Sequence, residues 1–166
     1  MCLFSIYAKC MWQKFEPSEK YLSAVKDITT VNKLDEFLDK IKYVSEEKDY
    51  WETPEEVIEN GECDCDGYAR LAMDILERIQ HRENVRFILY DGYYMKDGKK
   101  KRSGHAVAVF DYMGKLAVIS DHILIANKDN YEDIGHLFYP KGLKFIIALD
   151  SNGKITYSKN KWFGIF

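Results

Sequence analysis

The stretch from residue 61 to residue 79, GECDCDGYARLAMDILERI, decides how the rest of the chain is arranged. Its apolar side chains recur at the spacing of one helix face, which predicts an amphipathic helix from Cys65 to about Ile79. Asp66 and Arg70 fall on the polar side of this helix. The apolar side carries Cys65 in its first turn and needs another layer of structure to pack against.

The sequence before this stretch predicts further helices. The signal is strongest at Thr53, which suits an N-cap because Pro54 follows at the first helical position and Glu56 completes a capping box. This helix should end near residues 60–61, where Gly61 is a typical C-terminal stop. Two earlier helices are predicted, with Ser18 as the N-cap of the first and Thr30 or Asn32 as the N-cap of the second.

The sequence after this stretch predicts strands. Short β-branched and aromatic runs separated by glycine-containing turns favour strands that pair as hairpins. Helices followed by an antiparallel sheet indicate an α+β domain with the helix of Cys65 packed on the sheet. We read residues 96–102 as a turn, and we predict strands at residues 85–90, 105–110, 116–119, 145–149 and 154–157.

Length and composition limit the classes of protein that fit. The chain has 166 residues, which suits a single domain over residues 1–166. Its net charge of −3 argues against a nucleic-acid partner. No apolar run approaches the roughly 18 residues of a membrane helix, and the N-terminus lacks the features of a signal peptide. We therefore expect a cytoplasmic monomer with no membrane partner and with free thiols.

Cys65 is the first candidate for chemistry. A thiol in the first turn of a helix lies at the positive end of the helix dipole, which favours the thiolate and is expected to lower the pKa of Cys65. The alternative is an inert buried cysteine, because free cysteines often serve as small apolar core residues.

Two further residues suit a catalytic triad with Cys65. His105 opens one predicted strand, and Asp121 closes the strand that should pair with it, so the hairpin brings the two side by side. In a Cys-His-Asp triad the thiolate attacks, the imidazole moves the proton and the carboxylate orients the imidazole. We expect Asp121 to accept from Nδ1 of His105 and Nε2 to face Cys65.

The stretch from residue 61 to residue 69 resembles the nucleophile motif of the bacterial transglutaminase-like cysteine peptidases, which reads Gly-x-Gly-Asp-Cys-(Glu/Asp)-Asp-Tyr-Ala. The segments at residues 49–56, 104–107 and 120–121 are also similar to that family, and the resemblance runs from about residue 20 onward. It implies a papain-like, transglutaminase-like fold with Cys65 as nucleophile, His105 as base and Asp121 as the orienting carboxylate.

The chain departs from the family pattern in four ways. Cys63 stands where the pattern has glycine, Gly67 where it has aspartate, and His122 where it has asparagine. We also expect no export signal before the domain, although well-known members of the family act outside the cytoplasm.

The resemblance also implies roles for residues around the nucleophile. Trp51 is a candidate oxyanion-hole donor through its indole N–H, with packing against the core as the alternative. Some members of the family bind calcium at the positions of Asp64 and Asp66. Here the alternative is that Asp64 caps the helix and Asp66 is a solvated residue of its first turn. We therefore expect no required cofactor, with calcium as the candidate that the resemblance offers.

We therefore expect a cysteine hydrolase that cleaves a peptide or isopeptide bond in a protein or peptide substrate through a thioester. One alternative is an acyl transferase that uses an amine acceptor, and another is a catalytically inactive binding domain of the same fold. A third is a zinc site built from Cys63, Cys65, His105 and Asp121, although structural zinc usually comes with a second pair of clustered ligands.

A basic run at residues 99–102 precedes His105. Such a run is typical of a solvated hairpin tip, but its position also favours acidic substrates.

Overall fold

The protein was analysed as a computed structural model, which describes residues 12–45, 50–79, 84–120 and 123–160, with only the backbone described at residues 123–127. Five helices and eight strands lie within these ranges. The helices are α1 (Glu19–Val25), α2 (Val31–Leu38), α3 (Pro54–Asn60), α4 (Cys65–Arg78) and α5 (Tyr131–Phe138). The strands are β1 (Lys42–Tyr43), β2 (Glu62–Cys63), β3 (Arg86–Lys96), β4 (Lys99–Tyr112), β5 (Lys115–Ile119), β6 (Ile123–Lys128), β7 (Leu143–Leu149) and β8 (Ile155–Asn160).

The helix starts follow the capping residues predicted from the sequence. Ser18 caps α1, and Thr30, rather than Asn32, caps α2. Thr53 and Glu56 form the complete capping box of α3, and Gly61 ends that helix with a φ of 68°. Each cap accepts a backbone N–H that would otherwise have no partner inside the helix, which fixes where the helix begins.

Six strands form one antiparallel sheet in the order β6-β5-β4-β3-β7-β8. β1 and β2 form a separate parallel pair, with Tyr43 opposite Cys63. The α+β class is confirmed, and α4 packs on the antiparallel sheet as predicted.

The two faces of the sheet bury different sets of side chains, because alternate residues of a strand point to opposite faces. Helices α1–α4 cover one face, where Ala106, Ala108 and Phe110 of β4 join the main core. We call this the α4 face. Helix α5 covers the other face, where Val107 and Val109 of β4 join a second core. We call this the α5 face.

The predicted turn at residues 96–102 is wrong in extent. β3 continues to Lys96 and β4 begins at Lys99, so the turn has only two residues, Asp97 and Gly98. Both have positive φ, at 53° and 71°, as a tight hairpin turn between twisted strands requires. An Asp-Gly pair is typical of a two-residue hairpin turn, so it was the sequence signal that the strands continue up to residues 96 and 99.

Four elements were not expected from the sequence, namely the short strands β1 and β2, the strand β6 and the helix α5. β6 pairs with β5, and α5 follows it with Asn130 as its N-cap. Gly135 allows α5 to approach the sheet, because a Cβ at that position would lie 2.7 Å from the ring of Tyr90. The N-cap at Asn130 was a usable signal for this helix.

Candidate active site

Cys65 is the first residue of α4, as the sequence predicts. The carboxylate of Asp64 accepts the backbone N–H of Asp66 at 3.0 Å and so fixes the start of the helix. The Cys65 side chain is half-buried, whereas Cys63, two residues earlier, is 3% exposed. Of these two thiols, Cys65 is therefore the one placed to meet a substrate.

The sulfur of Cys65 lies against β4. The backbone N–H of Ala106 donates to Sγ at 3.5 Å. β5 ends at Ile119, which pairs with Ala108, so the strand stops two residues short of a partner for Ala106. The N-terminus of α4 therefore meets the sheet where β5 ends, beside His105.

The pKa of Cys65 does not follow the expectation from the helix dipole. Burial raises it to about 12, and the negative charges of Asp64 and Asp66 add to that rise. The backbone N–H groups of Ala106 and of Cys65 itself act in the opposite direction. Because burial outweighs these amides, Cys65 rests as a neutral thiol at neutral pH rather than as a preformed thiolate.

His105 is half-buried on β4, one residue before Ala106. Its Nε2 lies 2.8 Å from Oγ of Ser120, and its ring centroid lies 4.6 Å from that of Phe138 in α5. The expectation that Nε2 faces Cys65 is therefore wrong. Phe138 belongs to the core of the α5 face, whereas Cys65 meets β4 from the α4 face through the backbone of Ala106.

Ser120 was not singled out from the sequence. It is 8% exposed and follows the last residue of β5, directly before Asp121. Asp121 itself lies outside the described residues, so its part in the triad remains a prediction. The hairpin that should carry it is confirmed, because β4 and β5 pair antiparallel from Tyr112 and Lys115 to Ala108 and Ile119.

Asp64, Cys65 and Asp66 offer ligand atoms that lie within 4.8 Å of one another. Asp64 is already used as the helix cap, and Asp66 is 4% exposed rather than solvated. Calcium takes six to eight oxygen ligands, which is more than two carboxylates provide. Calcium at Asp64 and Asp66 thus remains a prediction from the resemblance.

The zinc alternative gains no support from the geometry. Among the described residues, the ligand atoms of Cys63, Cys65 and His105 do not come together as a group. Burial and the nearby charge of Glu52 raise the pKa of Cys63, which disfavours the thiolate that zinc binds.

Trp51 is 2% exposed and packs on Phe87, with ring centroids 5.2 Å apart. This contact matches the core-packing alternative, and the oxyanion role remains a prediction. The backbone carbonyls of Trp51 and Glu52 accept from the guanidinium of Arg70, at 2.9 Å each. Arg70, on the polar side of α4, is therefore buried, and it ties the segment before α3 to the nucleophile helix.

A scan against protein-family models and a search of curated proteins gave no match to this chain. Within the described part of the chain, no helix has the length and apolar character needed to cross a membrane.

Proposed function

We propose that this protein is a cysteine hydrolase with a papain-like, transglutaminase-like active site, in which Cys65 attacks the carbonyl carbon of a peptide or isopeptide bond. The observation that carries the proposal is the contact between Sγ of Cys65 and the backbone N–H of Ala106. It joins the nucleophile helix to the strand of His105.

Because we take the resting state of Cys65 as a neutral thiol, the attack of Sγ requires a base that accepts the thiol proton. As Sγ bonds to the carbonyl carbon, the thiol proton passes to His105, which acts as general base. The imidazolium then gives this proton to the leaving amine as the C–N bond breaks and a thioester forms. Water, deprotonated by His105, hydrolyses the thioester and restores the thiol.

The side chain of Ser120 gives His105 a fixed orientation in this scheme. Because Nε2 is hydrogen-bonded to Ser120, we assign Nδ1 to proton exchange with Cys65, and this assignment replaces our expectation that Asp121 accepts from Nδ1. The backbone N–H of Cys65 is our candidate oxyanion donor, since the first N–H groups of a helix have no partner within it. The adjacent thiols Cys63 and Cys65 suit a reducing compartment, such as the cytoplasm that we propose.

The experiment is acylation with p-nitrophenyl acetate, followed by mass spectrometry of the cysteine-containing peptides. We expect acetylation of Cys65 with release of nitrophenolate, and we expect Cys65→Ala to abolish it and His105→Gln to slow it. Cys63→Ala is the matched control and should retain wild-type acylation.

Equal acetylation of Cys65 and Cys63, or wild-type rates in His105→Gln, would contradict the proposal and favour a catalytically inactive binding domain. An added amine that captures the acetyl group faster than water does would identify the acyl-transferase alternative.

A further inference from the structure

Basic side chains cluster at one end of the molecule, although the whole chain is negative. Residues 96–102 and 140–144 include six lysines and one arginine, against a single acidic residue, Asp97. Lys96, Lys99, Lys100, Lys101 and Lys141 are exposed. The whole protein has a net charge of −3, so this patch creates a local region of positive potential on a negatively charged protein.

An apolar groove of about 430 Å³ lies within this patch. Met95 is 67% exposed and Tyr94 is 37% exposed. The ammonium group of Lys100 lies 4.3 Å from the ring centroid of Tyr93. The groove is lined by Tyr93, Tyr94, Met95, Lys100, Pro140, Lys141 and Gly142.

The groove has a fixed wall. The backbone N–H of Tyr93 donates to the carbonyl of Gly142 at 3.0 Å. A Cβ on Gly142 would lie 1.8 Å from the carbonyl oxygen of Tyr93, so only glycine permits this approach. The segment that carries Pro140 and Lys141 is thereby held against β3.

Part of the groove, including Lys100, lies on the face of β4 that meets Cys65, whereas Tyr94 points to the opposite face of the sheet. Alternate residues of a strand share a face, so Lys100, Arg102 and Gly104 lie on the α4 face with Ala106, the residue that contacts Sγ. At about 3.4 Å per residue, Lys100 is about 20 Å from Ala106 along the strand. Gly104 is exposed and has no side chain, which leaves the path between them shallow.

Arg102 stands on this path with a fixed orientation. Its guanidinium donates to both carboxylate oxygens of Asp91, through Nε at 3.0 Å and through NH2 at 2.9 Å. The Asp91 side chain is 5% exposed, whereas that of Arg102 is 53% exposed. The buried carboxylate thus holds a cationic group that still faces the solvent.

We propose that this groove binds an acidic segment of the peptide or protein substrate that also carries an aromatic or large apolar side chain. The segment lies about four to six residues from the bond presented to Cys65, which is the span of an extended peptide between Arg102 or Lys100 and Ala106. This inference rests on the proposed function for the position of the scissile bond. A peptide fits better than a nucleic acid, because the groove is small and apolar and the protein as a whole is negative.

The test measures peptide binding separately from catalysis, using Cys65→Ala protein so that nothing is cleaved. The probe is a short fluorescent peptide of glutamate and phenylalanine, compared with a peptide in which lysine replaces glutamate. We expect only the acidic peptide to bind. Its affinity should fall at least about tenfold as salt rises from about 0.01 to about 1 M, because the screening length shortens from about 30 to about 3 Å.

Variants then locate the site. Lys100→Glu combined with Lys141→Glu should weaken binding at least about tenfold, because it replaces two favourable charge contacts with repulsive ones. Lys26→Glu combined with Lys40→Glu is the matched control, because it changes the net charge equally at exposed positions of the helical half. The control should bind like the parent. Lys100→Gln combined with Lys141→Gln repeats the test if the reversed charges disturb folding.

Equal loss in the matched control, equal binding of both peptides, or tighter binding of a single-stranded oligonucleotide at the same lysines would overturn the proposal. Acetylation of Cys65 by p-nitrophenyl acetate does not use the groove, so its rate reports on the proposed function alone. Failure of peptide binding with normal acetylation would reject the groove and leave the hydrolase intact. Peptide binding without acetylation of Cys65 would support the groove and reject the hydrolase.

Discussion

At the scale of single residues, the charge of Asp64 and its role as a helix cap can be separated. Asp64 caps α4 through its side chain, and its negative charge contributes to the raised pKa of Cys65. Asn is an equally good N-cap without the charge. We therefore expect Asp64→Asn to keep the helix and to lower the pKa of Cys65.

The measurement is the rate of iodoacetamide alkylation of Cys65 between about pH 7 and 9, where the fold is stable, followed by peptide mass mapping. Asp64→Asn should alkylate up to about tenfold faster over this range, which corresponds to a fall in pKa of up to about one unit. Asp64→Ala removes the cap as well and should lower the melting temperature. An unchanged alkylation rate in Asp64→Asn would show that the charge of Asp64 does not contribute to the raised pKa of Cys65.

Ser120 is a positioning residue for His105, so removing its hydroxyl should change how the imidazole exchanges a proton with Cys65. Losing one hydrogen bond of about 1 kcal/mol should slow acylation of Cys65 about fivefold. Ser120→Ala should also shift the pH profile of acylation, whereas Ser120→Thr, which keeps the hydroxyl, should restore it. A slower rate with an unshifted profile would indicate a purely structural role.

At the scale of elements, the residues at positions 63 and 67 depend on each other because their Cβ positions lie close together. A Cβ on Gly67 would lie 2.7 Å from the Cβ of Cys63, so α4 can pack on β2 only if one of these positions is glycine. The motif that this stretch resembles has the opposite arrangement, with glycine at position 63 and aspartate at position 67.

This exchange predicts a coupling that can be measured by urea unfolding. Gly67→Ala should destabilise the protein by about 1–3 kcal/mol through overpacking. Adding Cys63→Gly should recover part of that loss, with a coupling of about 0.5–3 kcal/mol. Cys63→Ala retains the Cβ and should give no recovery. Equal effects of the two second substitutions would mean that the collision lies elsewhere.

Local signals predicted the first four helices, but they missed α5 and predicted the sheet incompletely. Caps and stops depend on a few neighbouring residues, and Thr53, Glu56 and Gly61 act in the structure as their types require. The length of the β3–β4 hairpin depends on pairing between Lys96 and Lys99 across a turn, which the polar composition of that segment concealed. The orientation of His105 depends on contacts with Ser120 and Phe138 that periodicity does not encode.

At the scale of the whole molecule, several buried groups hold protons that the unfolded chain would release. Burial raises the pKa of Tyr139 to about 12 and of Cys65 to about 12, and it also raises the pKa values of Tyr21, Tyr90 and Cys63. Each folded-state pKa lies above its unfolded value of about 8.5 for Cys or 10 for Tyr. The stability they provide is complete below those values and is lost as pH rises above them.

We therefore expect the urea midpoint to be nearly constant from about pH 7 to 8 and to fall steeply above about pH 9. Tyr90→Phe removes one such group, although it also removes the hydrogen bond from the Tyr90 hydroxyl to the carbonyl of Tyr131. This variant should have a lower urea midpoint than the parent at neutral pH. Its midpoint should then fall less than that of the parent as the pH becomes alkaline. Parallel pH curves for the two proteins would contradict this account.

The end of β5 opposite Ala108 has one more consequence, which concerns amide hydrogen exchange. Among the described residues, the N–H of Ala106 donates to the sulfur of Cys65, so the protection of this amide depends on the chemical state of Cys65. An alkylated or acylated sulfur is bulkier and a poorer acceptor, so this amide should exchange faster while those of Val107 and Ala108 keep their rates. A single backbone proton in the sheet thereby reports, without any label, whether the sulfur has reacted.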